Sequence, residues 1–128
     1  MQKAKCRIED IGMENVIVEK SFDFAVRIVN LHKYLSAEKK EYTLSKQLLR
    51  CGTSIGANVS EAQRGQSKAD FLAKMSIALK EANEAEYWLR LLYKTDYLDA
   101  AQYESMNKDI QDLLSILIAI CKKTQISK

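Results

Sequence analysis

Apolar residues recur along most of this chain at alternating steps of three and four. The clearest run is Phe71, Met75, Ala78, Ala82, Ala85, Leu89 and Leu92, an unbroken stripe along one face of a helix. A second stripe, Leu48, Gly52, Ile55, Val59 and Ala62, precedes it, and a third, Tyr103, Met106, Ile110, Leu113, Leu117 and Ile120, follows. Before them lie two adjacent lines: Phe22, Ala25, Val29 and His32, and Phe24, Ile28, Leu31 and Leu35. Together they predict a first helix with a buried face wider than one helix–helix contact needs. The pattern predicts four helices and no strand.

The links between these stripes are short and polar. The first helix is expected to start between Val16 and Phe22, with Ser21 as N-cap and residues 1–15 as a loosely held tail. The charged run Ala37 to Glu41 reads as a connection, and Thr43 as the cap of helix 2. Helix 2 is expected to end near Arg64, with Gly65 as a left-handed C′ residue. Ser67 with Asp70 is a capping-box-like start for helix 3, and Asp99, with Gln102 three residues later, can start helix 4. Long helices joined by short links must run antiparallel, so the expected fold is all-α: an up-down-up-down four-helix bundle in one domain. The absence of proline from all 128 residues allows such helices to run uninterrupted.

Gly52 and Gly56 stand one turn apart inside helix 2, where each should cost about 1 kcal/mol against alanine. Something must compensate, and close approach of a neighbouring helix does so. With Ala78 and Ala82 at the centre of helix 3, the expectation is a waist where helices 2 and 3 lie unusually near each other.

The charge of +3 is modest, so net charge alone does not mark a nucleic-acid-binding arm. Cys6, Cys51 and Cys121 are odd in number and widely spaced, which suits reduced cytoplasmic thiols rather than disulfides or zinc. The first residues contain no apolar run, so no secretory signal is expected, and the longest apolar run, Ile116 to Cys121, is too short to cross a membrane. A cytoplasmic location follows as the expectation.

Catalytic constellations are missing. His32 is the one histidine and lies on an apolar stripe, so HExxH, zinc-finger and Cys/His sites are excluded and no metal or cofactor is expected. Gly52-Thr53-Ser54-Ile55-Gly56 looks like a glycine loop but falls inside a helical pattern. Glu81, Glu84 and Glu86 crowd helix 3, yet a di-iron bundle also needs Glu-x-x-His motifs that this chain lacks. Glu86 interrupts an apolar line, so it is expected to be a buried polar group with a cation or a donor such as Asn58 beside it.

Two surfaces suggest partners. Between Leu113 and Cys121 only Ser115 is polar, so helix 4 is greasy all round; Leu114, Ile116, Ile118 and Cys121 are the expected oligomer interface. Lys46, Arg50 and Arg64 fall near one side of helix 2 with Lys68 beyond the turn, a stripe that an oligomer would repeat and that would engage phosphates.

The run from Ser45 to Leu92 also resembles a known family. Arg50, Ser54-Ile55-Gly56-Ala57-Asn58, Glu61-Ala62, Arg64-Gly65, Phe71-Leu72 and Asn83-Glu84-Ala85-Glu86-Tyr87 are similar to the motifs of the 23S rRNA intervening-sequence, or four-helix-bundle, proteins. The resemblance implies a small cytoplasmic bacterial protein, not an enzyme, folded as an antiparallel four-helix bundle. It extends to accessory proteins of diversity-generating retroelements, which implies a homopentamer with nucleic acid, RNA or DNA, and a reverse transcriptase as partners. Arg50 and Arg64 occupy the family's basic positions; Lys46 and Lys68 join them on helix geometry. Two readings follow: a homo-oligomeric adaptor that associates with nucleic acid, and a protein–protein scaffold that does not. Binding that falls steeply with salt separates them.

Overall fold

The computed structural model describes residues 8–126, with side chains from 15 to 125. It consists of α1 (Ile8–Ala37), α2 (Thr43–Ala62), α3 (Lys68–Lys94) and α4 (Ala100–Ile126), an antiparallel up-down-up-down bundle. Each helix packs on the two beside it and not on the one diagonally opposite. The α2–α3 contact is the most extensive and α1–α4 the sparsest.

The expected stripes of α2 and α3 are buried at every position, and that of α4 at every position but the half-buried Tyr103. On α1 only one of the two expected lines faces the core. Phe24, Ile28 and Leu35 are fully buried, whereas Phe22 is 68% exposed and Val29 is also open. The reason is geometric: α1 lies at a corner of the bundle, and a corner helix presents a single face to its neighbours.

Helix α1 begins upstream of the expected window, at Ile8; residues 1–7 of the expected tail, with Cys6, lie outside the described residues. Ser21 is therefore no N-cap. It is buried within α1 and donates to the Val18 carbonyl at 3.2 Å.

The cap of α2 is supplied from an unexpected position. The Glu41 carboxylate accepts from the backbone N–H groups of Thr43, Leu44 and Ser45 at 3.2, 3.2 and 2.8 Å. A carboxylate on three orphan donors at a helix N-terminus also opposes the positive end of the helix dipole. The Ser45 hydroxyl in turn meets His32 Nδ1 at 2.6 Å, tying α1 to α2 and giving the half-buried histidine a structural partner.

Gly65 is not left-handed, and among the described residues no glycine has a positive φ. Instead the end of α2 tightens: Gln63, Arg64 and Gly65 donate to the carbonyls three residues back, satisfying those acceptors without a left-handed cap. Position 65 is nevertheless crowded, because a Cβ there would sit 3.1 Å from the Ala62 carbonyl oxygen and 3.2 Å from the Phe71 nitrogen. Among the described residues the left-handed positions are Lys40 and Asp96, in the α1–α2 and α3–α4 links.

The other two caps match their spacing. Ser67 Oγ accepts from Asp70 N at 3.0 Å, and the Asp70 carboxylate accepts from Gln66 N at 3.3 Å. Asp99 and Gln102 exchange reciprocal bonds at 2.9 and 2.7 Å, a complete capping box.

The glycine waist exists, but against a different helix. A Cβ on Gly52 would lie 2.8 Å from Ile28 Cγ1, and one on Gly56 would lie 3.1 Å from the Ser21 carbonyl oxygen. Both contacts belong to α1, so these glycines bring α1 and α2 together. Ala78 and Ala82, also expected in the waist, are fully buried on α3.

Candidate nucleic-acid interface

The buried stripe of α2 fixes what its opposite face presents. Successive residues turn by about 100°, so Lys46 and Arg50 project away from the core, with Thr53, Ala57 and Ser60 following them along the outer side. Lys46, Arg50, Arg64 and Lys68 are all exposed. They fall into two pairs rather than one cluster: Lys46 and Arg50 lie near the start of α2, Arg64 and Lys68 around the α2–α3 turn. Fourteen positions separate Arg50 from Arg64, about 21 Å at a rise of about 1.5 Å per residue. Between the pairs the outer surface is small and uncharged apart from Glu61, which is held by Lys74 at 2.9 Å. Arg50 donates to Gln47 Oε1 at 2.9 Å, a contact within its own helix that steers the guanidinium along the surface.

Acidic groups stand close on the α3 side. Burial pushes the Cys51 thiol up to about 12, with Glu84 and Glu81 adding to the rise and Arg50 opposing it. Glu81 Oε1 is enclosed without a hydrogen-bond partner. The Cys121 thiol is likewise raised by burial, against the hydrogen bond of Ser76.

Glu86 is half-buried, not enclosed, and its partner is Gln111 of α4, whose amide donates to the carboxylate. Asn58, the expected donor, is also half-buried and is turned away: its amide donates to the Ser54 carbonyl of its own helix at 2.9 Å. Helix geometry explains this, because Asn58 can reach a carbonyl one turn back more readily than a side chain across the interface.

The expected interface on α4 is largely spent within the chain. Leu114 and Cys121 are buried and Ile116 is half-buried, leaving Ile118, at 48%, as its open apolar residue. Sequence reasoning missed the surfaces that stay open: Phe22, Val26 and Val29 on α1, and Ile77 and Tyr87 on α3. The three–four spacing of Phe22, Val26 and Val29 was a signal for the first.

Comparison with known proteins shows where this architecture belongs. The family model described as 23S rRNA-intervening sequence protein matches residues 13–119. The chain belongs to that family. A crystal structure from Bacteroides thetaiotaomicron VPI-5482, described as a protein with unknown function from the S23 ribosomal protein family, is 57% identical to this chain. Its TM-score is 0.85, and the match covers 86% of this chain and 98% of that one. A search of curated proteins finds no match. Among the described residues of this intervening-sequence protein, no group of three or more His, Cys, Asp or Glu is placed to hold a metal ion. No described helix is long and apolar enough to cross a membrane.

Proposed function

We propose that this protein is a self-associating, non-enzymatic adaptor that holds RNA or DNA along the outer face of α2. The observation that carries the reading is the exposed basic side chains at both ends of that face, with a small-residue centre between them. A strip from Lys46 to Arg64 spans about 27 Å, long enough to meet phosphates well separated along one strand. Self-association multiplies the two pairs, which compensates for the modest charge of +3 on one chain. A chemical step finds less support: the lone histidine is committed to Ser45, and both described cysteines are buried.

The test is binding of labelled single-stranded RNA and DNA across a range of salt, by wild type and by the double variant Arg50→Ala/Arg64→Ala. Wild-type affinity should fall as salt rises, and removing two cations per chain should lessen the logarithmic slope by about 1.4 for each chain engaged. The exposed Phe22 and Tyr87 favour a second reading, a protein–protein scaffold. Absence of binding even at low salt rejects the nucleic-acid reading in its favour.

A further inference from the structure

Where α1 hands over to α2, one large aromatic side chain stands open to solvent. Tyr42 lies just before the first turn of α2 and is 55% exposed. It holds the N-cap position, yet its side chain caps no N–H group; the Glu41 carboxylate performs that task. Among the described residues it belongs to neither aromatic pair, Tyr87 with Trp88 or Tyr93 with Tyr103. A single exposed tyrosine is ordinary on a protein surface, so its surroundings decide what it means.

Those surroundings are basic. Lys39 and Lys40 precede Tyr42 in the link and Lys46 follows it in α2, all three exposed. Among the described residues none of the three is ion-paired. The acids of the link are Glu38 and Glu41, and the second is turned onto the α2 backbone. The N-terminus of α2 is therefore already filled by a carboxylate, and an anion arriving here meets lysines instead. Glu41 N donates to the Leu35 carbonyl at 3.0 Å, which ties the link to the end of α1 and fixes where Tyr42 leaves it. Lys46 N donates to the Tyr42 carbonyl at 3.3 Å, so these two residues stand one helical turn apart, with Arg50 one turn further on. Tyr42, Lys46 and Arg50 thus form a line about 12 Å long at about 1.5 Å per residue, drifting only about 40° around the helix at each step.

We propose that Tyr42 stacks on an unpaired nucleobase while Lys39, Lys40 and Lys46 hold the phosphates beside it. This rests on the nucleic-acid reading above and deepens it, naming single strands with accessible bases as the preferred ligand. Basic side chains alone attract any polyanion, duplex or single strand, through counterion release. A ring in line with them adds an interaction that an unstacked base can use, and one that tolerates any base because each has a π-face. In a duplex the base faces are already stacked on their neighbours and closed to Tyr42.

Fluorescence anisotropy with two labelled DNA strands of equal length, one with its bases and one abasic, tests this at low salt. The strands carry the same phosphates and differ in the bases alone. Wild type should bind the strand with bases about tenfold more tightly. Tyr42→Ala should remove that preference and leave the salt slope unchanged, because stacking releases no counterions; Tyr42→Trp should keep it. Circular dichroism and light scattering should give Tyr42→Ala the helix content and mass of wild type, since the side chain is exposed and caps nothing. Equal affinity of wild type for both strands, or a preference that survives in Tyr42→Ala, overturns stacking at Tyr42 and leaves the basic face standing. Binding of neither strand overturns the nucleic-acid reading, and this inference with it.

Discussion

Replacing Gly52 by alanine sets two known effects against each other at one site. Alanine is favoured over glycine in a helix interior by about 1 kcal/mol. Against this stands Ile28 of α1, whose Cγ1, Cγ2 and Cδ1 would lie 2.8, 3.0 and 3.1 Å from the new Cβ. Both branches of the isoleucine are involved, so a rotation that relieves one contact worsens another, and Ile28 is fully buried in a close-packed core. Overpacking of this kind costs about 1–3 kcal/mol. The collision wins, and Gly52→Ala should destabilise the bundle by about 1 kcal/mol net, or about 4 °C in Tm for a domain of this size. The decisive arm is the background Ile28→Ala, which alone costs about 2–5 kcal/mol but removes all three colliding atoms. There Gly52→Ala should stabilise by up to about 1 kcal/mol, giving a coupling energy of about 2 kcal/mol between the sites. Urea melts of the four proteins measure it. If Gly52→Ala raises stability equally in both backgrounds, the glycine is not there to admit α1.

Two further outcomes follow from particular groups. Glu41→Ala removes three charge-assisted caps from the start of α2 and should cost about 1–2 kcal/mol in thermal or urea unfolding, with Glu41→Gln losing less. A cost below a few tenths of a kcal/mol would show that water replaces the carboxylate. The Cys51 thiol, held up at about 12 from an ordinary 9.0, remains protonated in the folded chain over a range where the unfolded chain loses its proton. The folded state then binds more protons, so this group's contribution to stability is intact below pH 9 and declines as pH rises from 9 towards 12. Denaturation curves in that window should fall less steeply for Cys51→Ala than for wild type; parallel curves would contradict the burial argument.

The architecture was legible because a seam at steps of three and four has one structural solution when its links are short. The buried runs of α2 and α3 and the boxes at Ser67 and Asp99 needed only local rules. What failed needed knowledge of neighbours. A helical wheel says that Gly52 and Gly56 face something, and cannot say whether that is α1 or α3. The second line of α1 reads as core from spacing alone, but a corner helix has only one covered face, and Phe22 lies on the other. The start of α1 was missed because residues 8–15 carry no clean apolar period, although they continue the helix. Glu41 was passed over as a cap because it lies ahead of the helix, reaching forward to three N–H groups where local rules look for a short side chain. The basic residues are exposed, yet periodicity could not show that they divide into two pairs.

The proposed role is tested most directly by anisotropy of a labelled single-stranded RNA titrated with the assembled protein at salt between roughly 50 and 200 mM. The account predicts affinity that falls steeply across that range, with a shallower slope and weaker binding for Arg50→Ala/Arg64→Ala of unchanged assembly mass. Binding that is absent at the lowest salt, or identical in the variant, would contradict it.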